Sequence, residues 1–208
     1  MPRCWRGSIR LHCAPFSGTS RHTLINAFLV SAGVVALAEI GDKTQLLALV
    51  LSARFRKPVP IVLGILIATL ANHALAGVVG KWIAMLLGPR TMRWILGISF
   101  VAMASWTLIP DKYQESEDER GSSNAFLTTL VSFFLLEMGD KTQIATVALA
   151  AKYASLFGVI AGTTVGMMLA NVPAVFLGEV AAKKLPLRVV HGIAALIFLI
   201  IGIAVLVL

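Results

Sequence analysis

Two short runs carry most of the reactive side chains in the apolar body of this chain. Glu39, Gly41, Asp42, Lys43, Thr44 and Gln45 stand in EIGDKTQ, and Glu137, Gly139, Asp140, Lys141, Thr142 and Gln143 repeat the pattern in EMGDKTQ. Each run offers two carboxylates, one ammonium, one hydroxyl and one amide. On a continuous helix Glu39 and Asp42 lie about 60° apart around the axis, so both carboxylates face one way. Lys43, four residues beyond Glu39, would then neutralise it, while Thr44 and Gln45 would project elsewhere. Gly41 opens a second geometry, a local break that turns Thr44, Gln45 and freed carbonyls toward the acids. Gly139 gives the second run the same freedom. Neither run contains Cys or His. A donor set of carboxylate, hydroxyl and amide oxygens suits Mn2+, Ca2+ or Mg2+ rather than copper or zinc.

The elements that must position these groups are greasy. The 208 residues are 58% hydrophobic and 13% charged, against about a quarter charged in soluble domains. A membrane-spanning helix needs about 20 mainly apolar residues. Six segments meet that need: Leu24 to Leu51, Val59 to Leu87, Met92 to Ile109, Asn124 to Ala151, Ala154 to Ala182 and Leu187 to Leu208. The expected fold is an all-α integral membrane protein of six transmembrane helices. Glu39 and Glu137 fall near the middle of their segments. A charge at that depth costs about 2.5 kcal/mol or more, so such residues face a cavity or a partner. The net charge of +8 sits mostly at the ends of the apolar blocks, where lipid headgroups account for it. No nucleic-acid partner is expected.

The chain divides at the polar stretch PDKYQESEDERGSS. Residues 1–22 form a basic tail, expected to be disordered, that holds both cysteines, Cys4 and Cys13, and no apolar run of signal-peptide length. Residues 23–110 form a first three-helix repeat, 111–123 an acidic linker loop, and 124–208 a second repeat. At one constant offset Ser31 meets Thr129, Arg54 meets Lys152 and Phe55 meets Tyr153; Asn72 meets Asn171 after a one-residue slip. Three spans per repeat is odd, so the second copy enters the membrane from the other side and the repeats are inverted. Inversion brings Glu39, Asp42, Glu137 and Asp140 together at mid-membrane, with Asn72 and Asn171 close by and Ser31 and Thr129 on an approach path. With Lys43 and Lys141 the group carries a formal charge of two negatives, which matches one divalent cation whose departure lets protons take its place. The Lys/Arg count ties between the two sides. With the tail set aside it places the acidic loop in the cytoplasm and both termini outside.

EIGDKT and EMGDKT resemble the paired E-x-G-D-(K/R)-(T/S) motifs of the MneA-type manganese exporters, bacterial relatives of the Golgi calcium/manganese transporters. The resemblance runs from Leu24 to Leu208 and leaves out the tail. By position it carries over Glu39, Gly41, Asp42, Lys43 and Thr44, and likewise Glu137, Gly139, Asp140, Lys141 and Thr142. It implies a multi-pass fold with both acidic motifs at one cation site and, for a bacterial member, Mn2+ efflux across the inner membrane. The expected function is secondary active export of divalent cations, Mn2+ with Ca2+ as the alternative, in exchange for protons. Metal ion, protons and the lipid bilayer are the expected partners, and no cofactor is expected.

Other readings compete. The twin motifs could be an ion-pair network fastening two helices. Asn72 and Asn171 could serve only interhelical hydrogen bonds. His73 and Met138 read as packed side chains, Glu179 as an ion-pair partner of Lys183. Export of another small cation or a cationic amino acid fits the same acids, with Lys43 and Lys141 receiving a carboxylate. An intramembrane enzyme using paired carboxylates lacks a nucleophile constellation in the sequence, and the protein is not expected to be an enzyme.

Overall fold

Proline, glycine and asparagine open the helices at the expected places. Pro58 and Pro89 occupy first-turn positions of their helices, where a missing N–H costs nothing. The Asn124 side chain accepts from the Leu127 amide at 3.1 Å and caps another. The computed structural model describes residues 19–109, 124–177 and 187–207. Among these residues there are eight helices, α1 (Thr19–Glu39), α2 (Lys43–Phe55), α3 (Pro58–Leu86), α4 (Pro89–Thr107), α5 (Ala125–Glu137), α6 (Lys141–Lys152), α7 (Leu156–Leu177) and α8 (Leu187–Val207). Among the described residues there is no strand. The acidic linker, most of the basic tail and residues 178–186, including Glu179 and Lys183, lie outside the described residues. Residues 19–22, expected in the tail, instead begin α1.

The expected spans Leu24 to Leu51 and Asn124 to Ala151 are not single helices. Each breaks between its glutamate and its lysine, giving α1–α2 and α5–α6. The break follows from Gly41 and Gly139, whose φ angles of 82° and 80° lie in the left-handed region. Among the described residues, three helical stretches are long and apolar enough to cross a membrane: Arg21–Glu39, Pro58–Leu86 and Leu156–Phe176. α3 is apolar outside and polar inside. Leu63, Ile67, Leu70 and Leu75 are exposed, whereas Thr69, Asn72 and His73 are completely buried. That inversion of the soluble pattern is what lipid demands, and the protein is a membrane protein.

Each half packs along the other. Gly64, Asn72 and Gly80 of α3 meet Phe126, Phe134 and Val147 in turn, so α3 runs beside α5 and α6 in the same direction. α7 does the same beside α1 and α2: Gly158, Gly162 and Gly166 meet Leu24, Phe28 and Ala32, and the Ala170 and Val175 carbonyls accept from Gln45 and Ser52. Glycine is required where helices touch this closely. A Cβ on Gly64 would stand 3.0 Å from the Phe126 carbonyl oxygen, and one on Gly162 would collide with the Phe28 carbonyl. α4 and α8 cross in opposite directions, with Gly97 against Leu206 and Phe100 against Phe198 at 6.2 Å between ring centroids.

The break at Gly139 is open to a clean test, because a Cβ there would meet nothing within 4 Å. Gly139→Ala therefore adds only left-handed backbone strain, worth about 1–2 kcal/mol. Thermal unfolding in detergent should show that loss, and Gly139→Asn should show less of it, since Asn tolerates this region. Equal stability of the wild type and the alanine variant would mean that the break is not held as described.

Candidate metal centre

The two breaks are built alike, residue for residue. Asp42 and Asp140 are the N-cap residues of α2 and α6, with φ, ψ of −78°, 168° and −80°, 169°. Their amides donate to the Glu39 and Glu137 carbonyls at 3.0 and 3.1 Å. Their carbonyls accept from Leu46 and Ile144 at 3.3 and 3.2 Å. The glutamines close the turn: Gln45 Oε1 accepts from the Gly41 amide at 2.9 Å, and Gln143 Oε1 accepts from Gly139 at 2.7 Å. The threonines fold back over it. Thr44 Oγ1 donates to Glu39 Oε2 at 2.5 Å, and Thr142 Oγ1 to Glu137 Oε2 at 3.0 Å.

Neither aspartate side chain caps its own helix. Both reach across to the other half instead. Lys43 Nζ lies 3.1 Å from Asp140 Oδ1, and Lys141 Nζ pairs with Asp42 Oδ1. This corrects the expectation that Lys43 neutralises Glu39 of its own run. The break turns α2 away from the axis of α1, so the i, i+4 relation that a straight helix would supply is lost. Lys141 and Asp42 are 1% and 0% exposed on their side chains, and Lys43 is 22% exposed. As N-cap residues, both aspartates also stand at the N-terminal ends of helices, where the aligned peptide dipoles favour negative charge.

The crossing gathers carboxylates. Glu39, Asp42 and Asp140 each offer a ligand oxygen within 4.8 Å of the others, and all three are buried. Glu137 is also fully buried but is not one of that triad. Several oxygens around the breaks are buried with no hydrogen-bond partner: Glu39 Oε1, Glu137 Oε1, Asp140 Oδ2, Asn72 Oδ1, Asn171 Oδ1 and Ser31 Oγ. Buried acceptors of this kind are otherwise almost always satisfied. All are hard oxygen donors, and a divalent cation of the Mn2+ or Ca2+ class fits them.

The remaining expected residues divide. Asn72 Nδ2 donates to the Phe134 carbonyl at 2.9 Å, one turn before Glu137. Asn171 Nδ2 donates within α7 to the Met167 carbonyl and sulfur at 3.1 and 2.9 Å. Both amides thus fix their nitrogens and leave their oxygens unclaimed. Gln45 uses its oxygen on Gly41 and its nitrogen on the Ala170 carbonyl at 3.0 Å, so its role is to hold the break. Thr129, expected on an approach path, spends its hydroxyl on the Ala125 carbonyl at 2.7 Å and packs at Gly64. Met138, expected to be packed, is instead 54% exposed. His73 is buried with neither nitrogen hydrogen-bonded. Sequence reasoning missed the Ala170 carbonyl as the anchor of Gln45; Pro173, inside α7, removes the bond to the neighbouring Leu169 carbonyl and so points only to this stretch of the helix.

Comparison with known proteins matches residues 27–115 and 125–208 to the family model described as divalent cation/proton antiporter GDT1. A Vibrio cholerae protein described as "Putative manganese exporter" is 48% identical over 87% of this chain and 90% of its own length. The Saccharomyces cerevisiae divalent cation/proton antiporter GDT1 is 26% identical, over 88% of this chain and 84% of its own. GDT1-like protein 3 of Oryza sativa subsp. indica is 27% identical, over 85% and 72% respectively. No solved structure matches the chain.

The buried cross-pair gives a stability prediction. Lys141→Met leaves Asp42 without its ammonium, and breaking such a pair costs about 3–5 kcal/mol. Adding Asp42→Asn to that variant should recover much of the loss, because no unpaired charge then remains. Unfolding of the two single variants and the double variant in detergent forms the cycle; strictly additive losses would refute the pairing.

Proposed function

The chain belongs to the GDT1 family of divalent cation/proton antiporters, and from that premise we propose that it exports Mn2+ from the bacterial cell in exchange for protons. The observation that carries this is the triad of buried carboxylates contributed by both motifs, Glu39 and Asp42 from one and Asp140 from the other. Glu137 completes the acidic set on the second half. The relative described as a manganese exporter, similar over nearly the whole chain, supports Mn2+ as cargo. Ca2+ satisfies the same oxygen donors and is the competing cargo.

In this mechanism Lys43 and Lys141 hold Asp140 and Asp42 while no cation is bound. An arriving divalent ion competes with the ammoniums for the same oxygens, and the unclaimed oxygens of Glu39, Asn72 and Asn171 add to its shell. Protons reaching the carboxylates weaken their hold, because only ionised carboxylates bind metal well. Cation and proton thus share one site and move in opposite directions.

The proposed frame is six membrane crossings in two inverted repeats, 23–110 and 124–208, joined by the acidic linker 111–123 after the basic tail. Its support is directional. α3 runs with α5 and α6, and α7 runs with α1 and α2; repeats inserted the same way up would set each of these pairs antiparallel. A multi-pass protein of the bacterial inner membrane follows, with the site between the repeats.

Flux of Mn2+, Ca2+ and Mg2+ into sealed vesicles under an imposed proton gradient tests this. The wild type should move Mn2+ against the gradient's proton flow, and Asp42→Asn or Asp140→Asn should reduce flux to the protein-free background while insertion stays normal. Glu39→Gln should flatten the dependence of flux on pH. Wild-type flux in either aspartate variant would exclude direct ligation.

A further inference from the structure

A second site lies away from the acids. An open cleft of about 640 Å³ is bounded by the last residues of α3, the first turns of α4 and the C-terminal turns of α6 and α8. Its walls are apolar, with Leu87, Leu96, Ile201 and Val205 among them, and its charged lining residues are Arg93 and Lys152. Among the described residues no carboxylate lines it. The volume is some twenty times the roughly 30 Å³ share of a water molecule and falls in the range of organic-ligand pockets, about 300–1,000 Å³. Size and sign together exclude it as a resting place for a small cation, which two fixed positive charges would repel.

The cations are disposed for an anion. Arg93 Nε is buried with no hydrogen-bond partner. Lys152 sits 5.9 Å from the Tyr153 ring centroid, a contact that leaves its donors available. Lys81, the neighbouring cation, is already committed: its Nζ donates to the Tyr153 carbonyl at 2.6 Å, tying the end of α6 to α3. The cleft opens where helices end, the depth at which a spanning helix meets the headgroups. An apolar wall running inward from a cationic rim has the shape of one amphiphile.

We propose that this cleft holds one anionic phospholipid, its phosphate on Arg93 and Lys152 and an acyl chain along the α4–α8 wall. Basic pockets between membrane helices recognise acidic headgroups through the same combination. The proposal is independent of the transported ion.

The test uses the full chain purified in zwitterionic detergent, with phosphatidylglycerol or phosphatidylcholine added. Native mass spectrometry should show phosphatidylglycerol retained on the wild type in preference to phosphatidylcholine, with a raised unfolding midpoint in phosphatidylglycerol. Arg93→Gln with Lys152→Gln should weaken that retention by about tenfold or more, the loss of at least one charge-assisted contact. Ala204→Phe, which keeps both charges and fills the apolar wall, should weaken it as well. Unfolding midpoints in phosphatidylcholine check that the variants are folded; if they are not, the wild-type preference between the two lipids decides by itself. Equal retention of the two lipids, or undiminished retention in the folded charge variant, overturns the proposal. So does a lipid-independent dimer that the charge variant dissociates, because a second copy would then cover the cleft.

Discussion

A carboxylate taken out of water must be matched by a charge or by directed donors, and the architecture is arranged around that demand. Asp42 and Asp140 are matched by Lys141 and Lys43, in each case from the other half of the chain. A buried pair adds little net stability over an apolar contact, because desolvation consumes most of the attraction. Its force lies in specificity: any arrangement that separates the halves strands two anions and two cations in a medium that cannot solvate them. The pairing therefore selects one mutual register of α1–α2 against α5–α6.

That register is possible only because each motif is a self-contained turn. A helix broken inside a membrane exposes amides and carbonyls that no water will satisfy. Here the glutamine carbonyl takes the glycine amide, the glutamate carbonyl takes the aspartate amide, and the threonine hydroxyl takes one glutamate oxygen. The same three bonds recur in the second half. Each residue of E-x-G-D-K-T-Q thus has a separate task. Glycine supplies the left-handed turn, glutamine and threonine satisfy the break, lysine crosses to the other half, and Glu39, Glu137 and Asp140 each keep one buried oxygen with no hydrogen-bond partner. At the variable second position Met138 is mostly exposed.

Much of this was legible in the residues. The internal repeat, the mid-segment acids and the hard-oxygen donor set all follow from spacing and composition. The helix break was visible only as an alternative, because Gly41 and Gly139 permit a left-handed turn without requiring it. The cross-pairing was not legible at all. Within one run Lys43 sits four residues from Glu39, a favourable helical spacing, and local reasoning prefers that neighbour. Only the packing of α3 and α7 against the opposite broken pairs, through Gly64 and Gly162, sets the two runs face to face. The cleft at Arg93 and Lys152 was hidden for the same reason, since the ends of α6 and α8 that complete its walls are far in sequence from the α3–α4 corner.

The two halves are alike but not equivalent, and the difference is concentrated at the cross-pairs and the anchors of the breaks. Lys141 and Asp42 are sealed, whereas Lys43 retains 22% side-chain exposure. Gln45 ties its break to the Ala170 carbonyl, next to Asn171 and three residues before Pro173, while the matching stretch of α3 carries His73 and no proline. A charge pair with one partner partly solvated is weaker and screened by salt, whereas its sealed counterpart is not. The Lys43–Asp140 pair is therefore the easier of the two to open. Unequal burial of the same ion pair thus distinguishes two motifs that are otherwise built alike.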